Sequence, residues 1–238
     1  MPHSHIVRSF DEDLTQLRNK IVEMAALVAK QFSDAEKALV DKDLKLAATV
    51  RQADKLVDQM EQDIEKTAIE LIAIRSPLAD DLREIISAIK ISNALERIGD
   101  YAKNLSKRVS VLSETDKFDV NNTVICQMIE IINVMNKDVI NAYINKSSDK
   151  AISVWTRDIA VDNLYEALFR ELLTYMMENP KYITPATHLL FVAKNIERAG
   201  DHLTNIAELI YYIVEGTPLE MARPKGDKSS EANVEFSG

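Results

Sequence analysis

Apolar residues recur along this chain at alternating spacings of three and four, the period of one face of an α-helix. The clearest run is Ile91, Leu95, Ile98, Ala102, Leu105, Val109 and Leu112, and a second is Val192, Ile196, Ala199, Leu203, Ile206, Ile210 and Ile213. Each is the seam of a helix packed lengthwise against neighbours at a shallow crossing angle. The punctuation between such stretches predicts six long helices. Ser9 with Glu12 three residues on gives a capping-box start to the first, which runs to about Val40. A second extends from about Asp43 to Arg75, Pro77 interrupts, and a third runs from about Asp80 to Leu112. A polar turn over 115–122 precedes the fourth, which ends near Asn145. Ser147-Ser148 caps a fifth that stops before Asn179-Pro180, and Thr184-Pro185 reads as the N-cap and first residue of the sixth. Gly216 ends it, a residue suited to a left-handed cap.

The two seam helices are alike in identity as well as period. Ala-Leu-Glu-Arg-Ile-Gly-Asp-Tyr-Ala-Lys-Asn at 94–104 is answered by Asn-Ile-Glu-Arg-Ala-Gly-Asp-His-Leu-Thr-Asn at 195–205, an offset of 101 residues. Upstream, Asp54 and Asp58 are answered by Asp158 and Asp162 at an offset of 104. The three-residue difference is easily absorbed at the Pro77 turn. The expected architecture is therefore all-α, two tandem three-helix bundles related by internal duplication and a pseudo-twofold. The first repeat is placed at 9–113, the second at 118–216, and a polar tail at 217–238, rich in Gly, Pro and Ser, is expected to be disordered.

Composition agrees with that picture and narrows the function. Only 5 glycines and 6 prolines in 238 residues leave little room for the tight turns of a β-protein. With 29 basic against 38 acidic residues the chain carries a net charge of −9, which argues against a nucleic-acid partner or direct binding to an anionic membrane. The single cysteine, Cys126, cannot form an internal disulfide and suits a reducing compartment; its apolar neighbours read as core. No targeting segment or membrane-length apolar run is visible, so a cytoplasmic location is expected, with membrane contact only through protein partners. Met24, Met60, Met128, Met135, Met176 and Met177 read as core filler, and Trp155 as packing between helices.

Candidate chemistry lies on the repeated motif. Gly99 and Gly200 stand in mid-helix at the same repeat position, where a glycine costs about 1 kcal/mol relative to alanine. Either tight helix packing or close approach of a bound group would account for them. Glu96/Asp100, Glu197/Asp201, Asp54/Asp58 and Asp158/Asp162 are four pairs of like charge one helical turn apart, and Asn104 and Asn205 extend the strip of oxygens. Counted from the apolar seam, Glu96 and Asp100 fall on the far side of the third helix, which places the strip on the bundle surface. Adjacent helices of a bundle can bring an Asp pair to a Glu/Asp pair. Several carboxylates without thiols form a hard oxygen site for a divalent or trivalent ion: iron, magnesium, manganese, calcium or zinc. His202 follows Asp201, but its counterpart is Tyr101, so a ligand role is not favoured. There is no Glu-x-x-His pair, phosphate-cradling loop or nucleophile elbow.

The repeated Glu-Arg-(Ile/Ala)-Gly-Asp motif, with Leu173-Thr-Tyr-Met-Met-Glu178 and the stretch from Asn205 to Gly216, resembles the PhoU family of phosphate-signalling regulators. The likeness spans Phe10 to Gly216 and includes the duplication. It implies a cytoplasmic negative regulator of the phosphate-starvation response. Such a protein is an adaptor relaying the state of a phosphate-specific ABC transporter, through its ATPase subunit, to a sensor histidine kinase, and modulating phosphate uptake. It also implies metal clusters on the bundle surface, carried here by Glu96, Asp100, Glu197 and Asp201 with Asp54, Asp58, Asp158 and Asp162 opposite, and a homodimer. Arg51 precedes Asp54 by three residues whereas Arg157 adjoins Asp158, so the second-helix motifs are not equivalent. The reading is of a regulator and not an enzyme. The alternatives are a metal-dependent phosphohydrolase, for which no separate general base or oxyanion donors are evident, and a metal-free helical adaptor.

Overall fold

The computed structural model describes residues 3–114 and 123–220, with side chains from Phe10 onward. The expected polar turn over 115–122 and all of the expected disordered tail beyond Glu220 lie outside those residues. Six long helices account for nearly all of what is described: α1 (His3–Val40), α2 (Leu44–Arg75), α3 (Ala79–Ser113), α4 (Thr123–Ile144), α5 (Ser148–Glu178) and α6 (Ile183–Glu215). Local signals set most of their ends. Asp43 caps α2, its carboxylate accepting from the Lys45 and Leu46 amides at 2.9 and 3.0 Å. Ser147 does the same for α5, and Gly216 closes α6 at φ 78°.

Two expected starts are displaced. Helix α1 begins at His3, so Ser9 lies inside it; the sequence has no Gly or Pro between His3 and Ser9 to stop the helix propagating backwards. Helix α6 begins at Ile183, not behind a Thr184 cap. Asn179 takes the capping role, accepting from the Lys181 amide at 3.0 Å, and Pro180 opens a 3₁₀ turn over Pro180–Tyr182 that runs into the helix. Pro185 is still in the first turn, where its missing N–H goes unused.

Helices α1, α2 and α3 pack on one another, as do α4, α5 and α6, and the two bundles meet along α3 with α6 and along α1 with α4. These are repeat-equivalent helices meeting their own counterparts, the arrangement a pseudo-twofold requires. At that axis Tyr101 and His202, which occupy the same repeat position, face each other with the hydroxyl 3.3 Å from Nε2. Both seams are buried: Ile91, Leu95, Ile98, Ala102, Leu105 and Val109 in α3, and Val192 through Ile213 in α6. Leu112 is partly covered. Each Ile, Leu or Val among them, removed from water, contributes about 1.5–3 kcal/mol. Trp155 is buried and donates from Nε1 to Glu208 at 3.0 Å. Of the methionines, Met24, Met128 and Met135 are core, Met60 and Met176 are partly covered, but Met177 is 80% exposed at the end of α5, where no helix lies over it.

Further polar contacts tie the bundles together, two of them from buried side chains. Asn136 of α4 donates to the Ala25 carbonyl of α1 at 3.0 Å. Glu84 of α3, buried, is held by the Arg18 guanidinium of α1 through both its oxygens and by Lys146, from the turn after α4, at 2.9 Å.

Candidate functional site: two carboxylate clusters between helices

The carboxylates expected on the surface are largely inside the bundle. Asp54 is 4% exposed, Asp158 1%, Asp162 5% and Glu197 7%; Asp58, Glu96, Asp100 and Asp201 are half-buried. The reason is that α3 contacts α1, α2 and α6, and α6 contacts α4, α5 and α3, so neither helix keeps a wide solvent face behind its seam.

In the first repeat, Lys103 of α3 lies between the two helices. Its ammonium donates to Asp54 of α2 and, at 2.7 Å, to Asp100 one turn back on its own helix. Burial alone would pull this lysine's pKa down; the hydrogen bonds to Asp100 and Asp54 outweigh it and push it up. Burial raises Asp54 above the usual carboxylate range, with Lys103 opposing. Glu96 is pushed up to about 7, by burial and then by the charge of the neighbouring Asp100. Glu61 of α2 is raised by burial and by Glu65 and Asp58, and its charge is also felt at Glu96. Asn104 sits one turn beyond and accepts from Lys107 at 3.0 Å.

The second repeat is built differently. Lys194 stands one turn before Glu197 and donates to its Oε1 at 2.8 Å, while the buried Oε2 has no hydrogen-bond partner. Burial raises the pKa of Glu197, Lys194 opposes, and Asp201 and Asp162 raise it further, so these three carboxylates share one neighbourhood. At the position matching Lys103 stands Thr204, fully buried, its hydroxyl donating to the Asp201 carbonyl at 2.7 Å. Arg157 turns away from the cluster to Asp138 of α4 at 2.5 Å. Asn205 is exposed and lines an open groove of about 810 Å³ between α3 and α6 with Lys90, Arg97, His202 and Tyr212.

The two glycines resolve differently as well. A β-carbon on Gly200 would stand 2.2 Å from Oδ1 of Asp158, so the missing side chain is what lets that carboxylate seat against α6. On Gly99 it would meet Gln31 at 3.1 Å and Val57 at 3.3 Å, closer than ordinary contact but within what a shift of a few tenths of an ångström relieves. Gln31 is itself buried with neither amide atom hydrogen-bonded. Cys126 is half-buried rather than core; burial and a hydrogen bond with Glu36 push its pKa up to about 11, which leaves it an inert thiol. Lys103, Lys194 and Glu61 were not singled out from sequence. Their signal was present, since Lys103 lies three residues after Asp100, Lys194 three before Glu197 and Glu61 three after Asp58.

Among the described residues, no three His, Cys, Asp or Glu side chains converge closely enough to hold a metal ion as they stand. In the first repeat an ammonium is already bonded to one oxygen each of Asp54 and Asp100, and the cluster does not fit a metal in this arrangement. The second fits by donor chemistry: hard oxygens, low exposure and a buried Glu197 oxygen lacking a partner. Side-chain rotation would be needed to draw them to one point.

A duplicated three-helix bundle with an acidic cluster at the same place in each half defines a class of helical-repeat proteins. The PhoU domain matches residues 21–109 and 125–210, one copy per bundle. A phosphate-specific transport system accessory protein PhoU homologue of Rhizobium meliloti is 46% identical, covering 97% of each chain. A homologue of the same name from Caulobacter vibrioides is 44% identical over 95% of this chain and 99% of its own. The crystal structure of PhoU from Pseudomonas aeruginosa superposes with a TM-score of 0.84 at 38% identity, over 87% of this chain and 100% of that one. That of the Streptococcus pneumoniae phosphate transport system regulatory protein PhoU gives 0.82 at 28%, over 89% and 100%. This chain belongs to the PhoU family. No helix among the described residues is long and apolar enough to cross a membrane.

Proposed function

We propose that this protein is a negative regulator of the phosphate-starvation response, an adaptor between a phosphate-specific ABC transporter and a sensor histidine kinase. It contacts the transporter's ATPase subunit and the kinase's cytoplasmic region, restrains signalling and uptake when phosphate is ample, and works in the cytoplasm as a homodimer without catalysing a reaction. The observation that carries the reading is full-length likeness, both repeats included, to relatives named as accessory proteins of phosphate-specific transport. A pair of bundles packed along α3 and α6, with long outer helices, suits a part that bridges proteins. Metal binding belongs to the same reading. Glu197, Asp201, Asp158 and Asp162 are the side chains that would hold a hard cation, which would supply charge neutralisation and lock α5 to α6.

The test is a binding assay of the purified chain against the detergent-solubilised transporter ATPase subunit and the cytoplasmic portion of the kinase, each immobilised in turn. Saturable binding to either is expected, and release of reporter repression should follow deletion of the gene. Binding to neither partner, with repression intact in the deletion strain, overturns the adaptor reading.

A further inference from the structure

We propose that Lys103 is a built-in cation standing where the second repeat takes a metal, so that the first carboxylate cluster is closed by the chain itself and metal binding is confined to the second. The inference rests on the metal-binding part of the function proposed above. The contacts of Lys103 lead to it. The Lys103 ammonium bridges the two helices that carry the first set of acidic pairs, bonding Asp54 on α2 and Asp100 on α3. Asp100, Lys103 and Asp54 therefore form one continuous chain of bonded groups, with Glu96 one turn before Asp100 on α3. A metal entering those oxygens would have to expel an ammonium already bonded to two of them.

The duplication supplies the control. The residue 101 positions on from Lys103 is Thr204, an uncharged side chain that spends its hydroxyl proton on the Asp201 carbonyl of its own helix. The second cluster's lysine, Lys194, approaches from the opposite end and bonds only Oε1 of Glu197, leaving Oε2 buried and without a hydrogen bond. Gly200 brings the Asp158 carboxylate against the α6 backbone beside it, where Gly99 in the first repeat receives the neutral Gln31 and Val57 instead. The lysine of the first half thus bridges the two acid-bearing helices, whereas that of the second bonds one oxygen on its own helix and leaves an orphaned carboxylate oxygen of the kind a hard cation satisfies.

The experiment measures metal per folded chain by elemental analysis after incubation with Mn²⁺ or Fe²⁺ and gel filtration. It compares wild type, Lys103→Thr, Glu96→Gln with Asp100→Asn, and Glu197→Gln with Asp201→Asn, each checked for helicity by circular dichroism. Lys103→Met serves where Lys103→Thr does not fold. The expected result is metal in wild type, unchanged in the first-repeat double variant, lost in the second-repeat one, and roughly doubled when Lys103 is replaced. Loss in the first-repeat double variant, or no gain on replacing Lys103, overturns this proposal while leaving metal binding standing. Metal bound only when Lys103 is replaced shows that the lysine closes the first cluster but overturns the assignment of metal to the second. No metal in any variant overturns both.

Discussion

Asp158 rests against bare backbone at Gly200, and its Oδ1 lies where a β-carbon would come within 2.2 Å; at Gly99 the nearest atoms are 3.1 and 3.3 Å away. Replacing a mid-helix glycine by alanine should gain up to about 1 kcal/mol in helix propensity. At Gly200 that gain is opposed by overpacking of a buried carboxylate, a class of change that costs about 1–3 kcal/mol. Gly99 asks its neighbours to give only a few tenths of an ångström. With the full propensity gain, Gly200→Ala is therefore expected to lower unfolding stability in urea by up to about 2 kcal/mol, and Gly99→Ala to cost less than that or to be neutral. Equal effects at the two positions would show that the glycines serve the same purpose. The sequence marked both positions as unusual, because two costly glycines in register are visible by eye. What each accommodates was not visible, since Gln31 and Asp158 reach them from other helices.

Helix identity was legible from periodicity, and helix ends were legible where a capping side chain sat beside the turn, as at Asp43 and Ser147. They were not where competing signals lay a few residues apart: Asn179-Pro180 prevailed over Thr184-Pro185. Nor did any local pattern reveal Glu84, whose partners Arg18 and Lys146 come from α1 and from the turn before α5. Its side chain is 4% exposed, so burial alone would raise its pKa. The hydrogen bonds from Arg18 and Lys146 outweigh that and hold it below the ordinary glutamate value of 4.5. A carboxyl depressed on folding stabilises the native state above its unfolded pKa and loses that contribution as pH falls through the folded value. Acid should therefore destabilise wild type below about pH 4.5 more steeply than Glu84→Gln, which has no charge there to lose. At neutral pH that variant should cost about 1–3 kcal/mol, because Arg18 is left without its carboxylate. Lys146→Ala should cost less than about 1 kcal/mol, its side chain being 53% exposed. Urea midpoints at neutral and acid pH read all of these.

Across the whole molecule, the duplication and the six-helix count were readable, but the burial of the acidic strip was not. A seam counted on one helix assumes that the opposite side faces water, and that holds only until a third neighbour is known. Here α3 and α6 each touch three other helices, and each packs against the other as extensively as against any partner in its own bundle. The buried apolar side chains of both repeats accordingly form one continuous cluster rather than two. Two halves that share a core in this way should not unfold separately. Calorimetry is expected to show a single transition with a calorimetric-to-van't Hoff enthalpy ratio near unity, despite the size of the chain and its repeat construction. Cutting between the bundles should be correspondingly costly. Residues 123–220 produced alone would expose the flank of α6 that meets α3 and that of α4 that meets α1. Such a fragment should self-associate or stay partly unfolded, and mixing it with the first repeat should restore a monodisperse, cooperatively melting complex. Two resolved transitions in the intact chain, or a stable monomeric half, would mean that the α3–α6 contact joins two independent domains and does not build one.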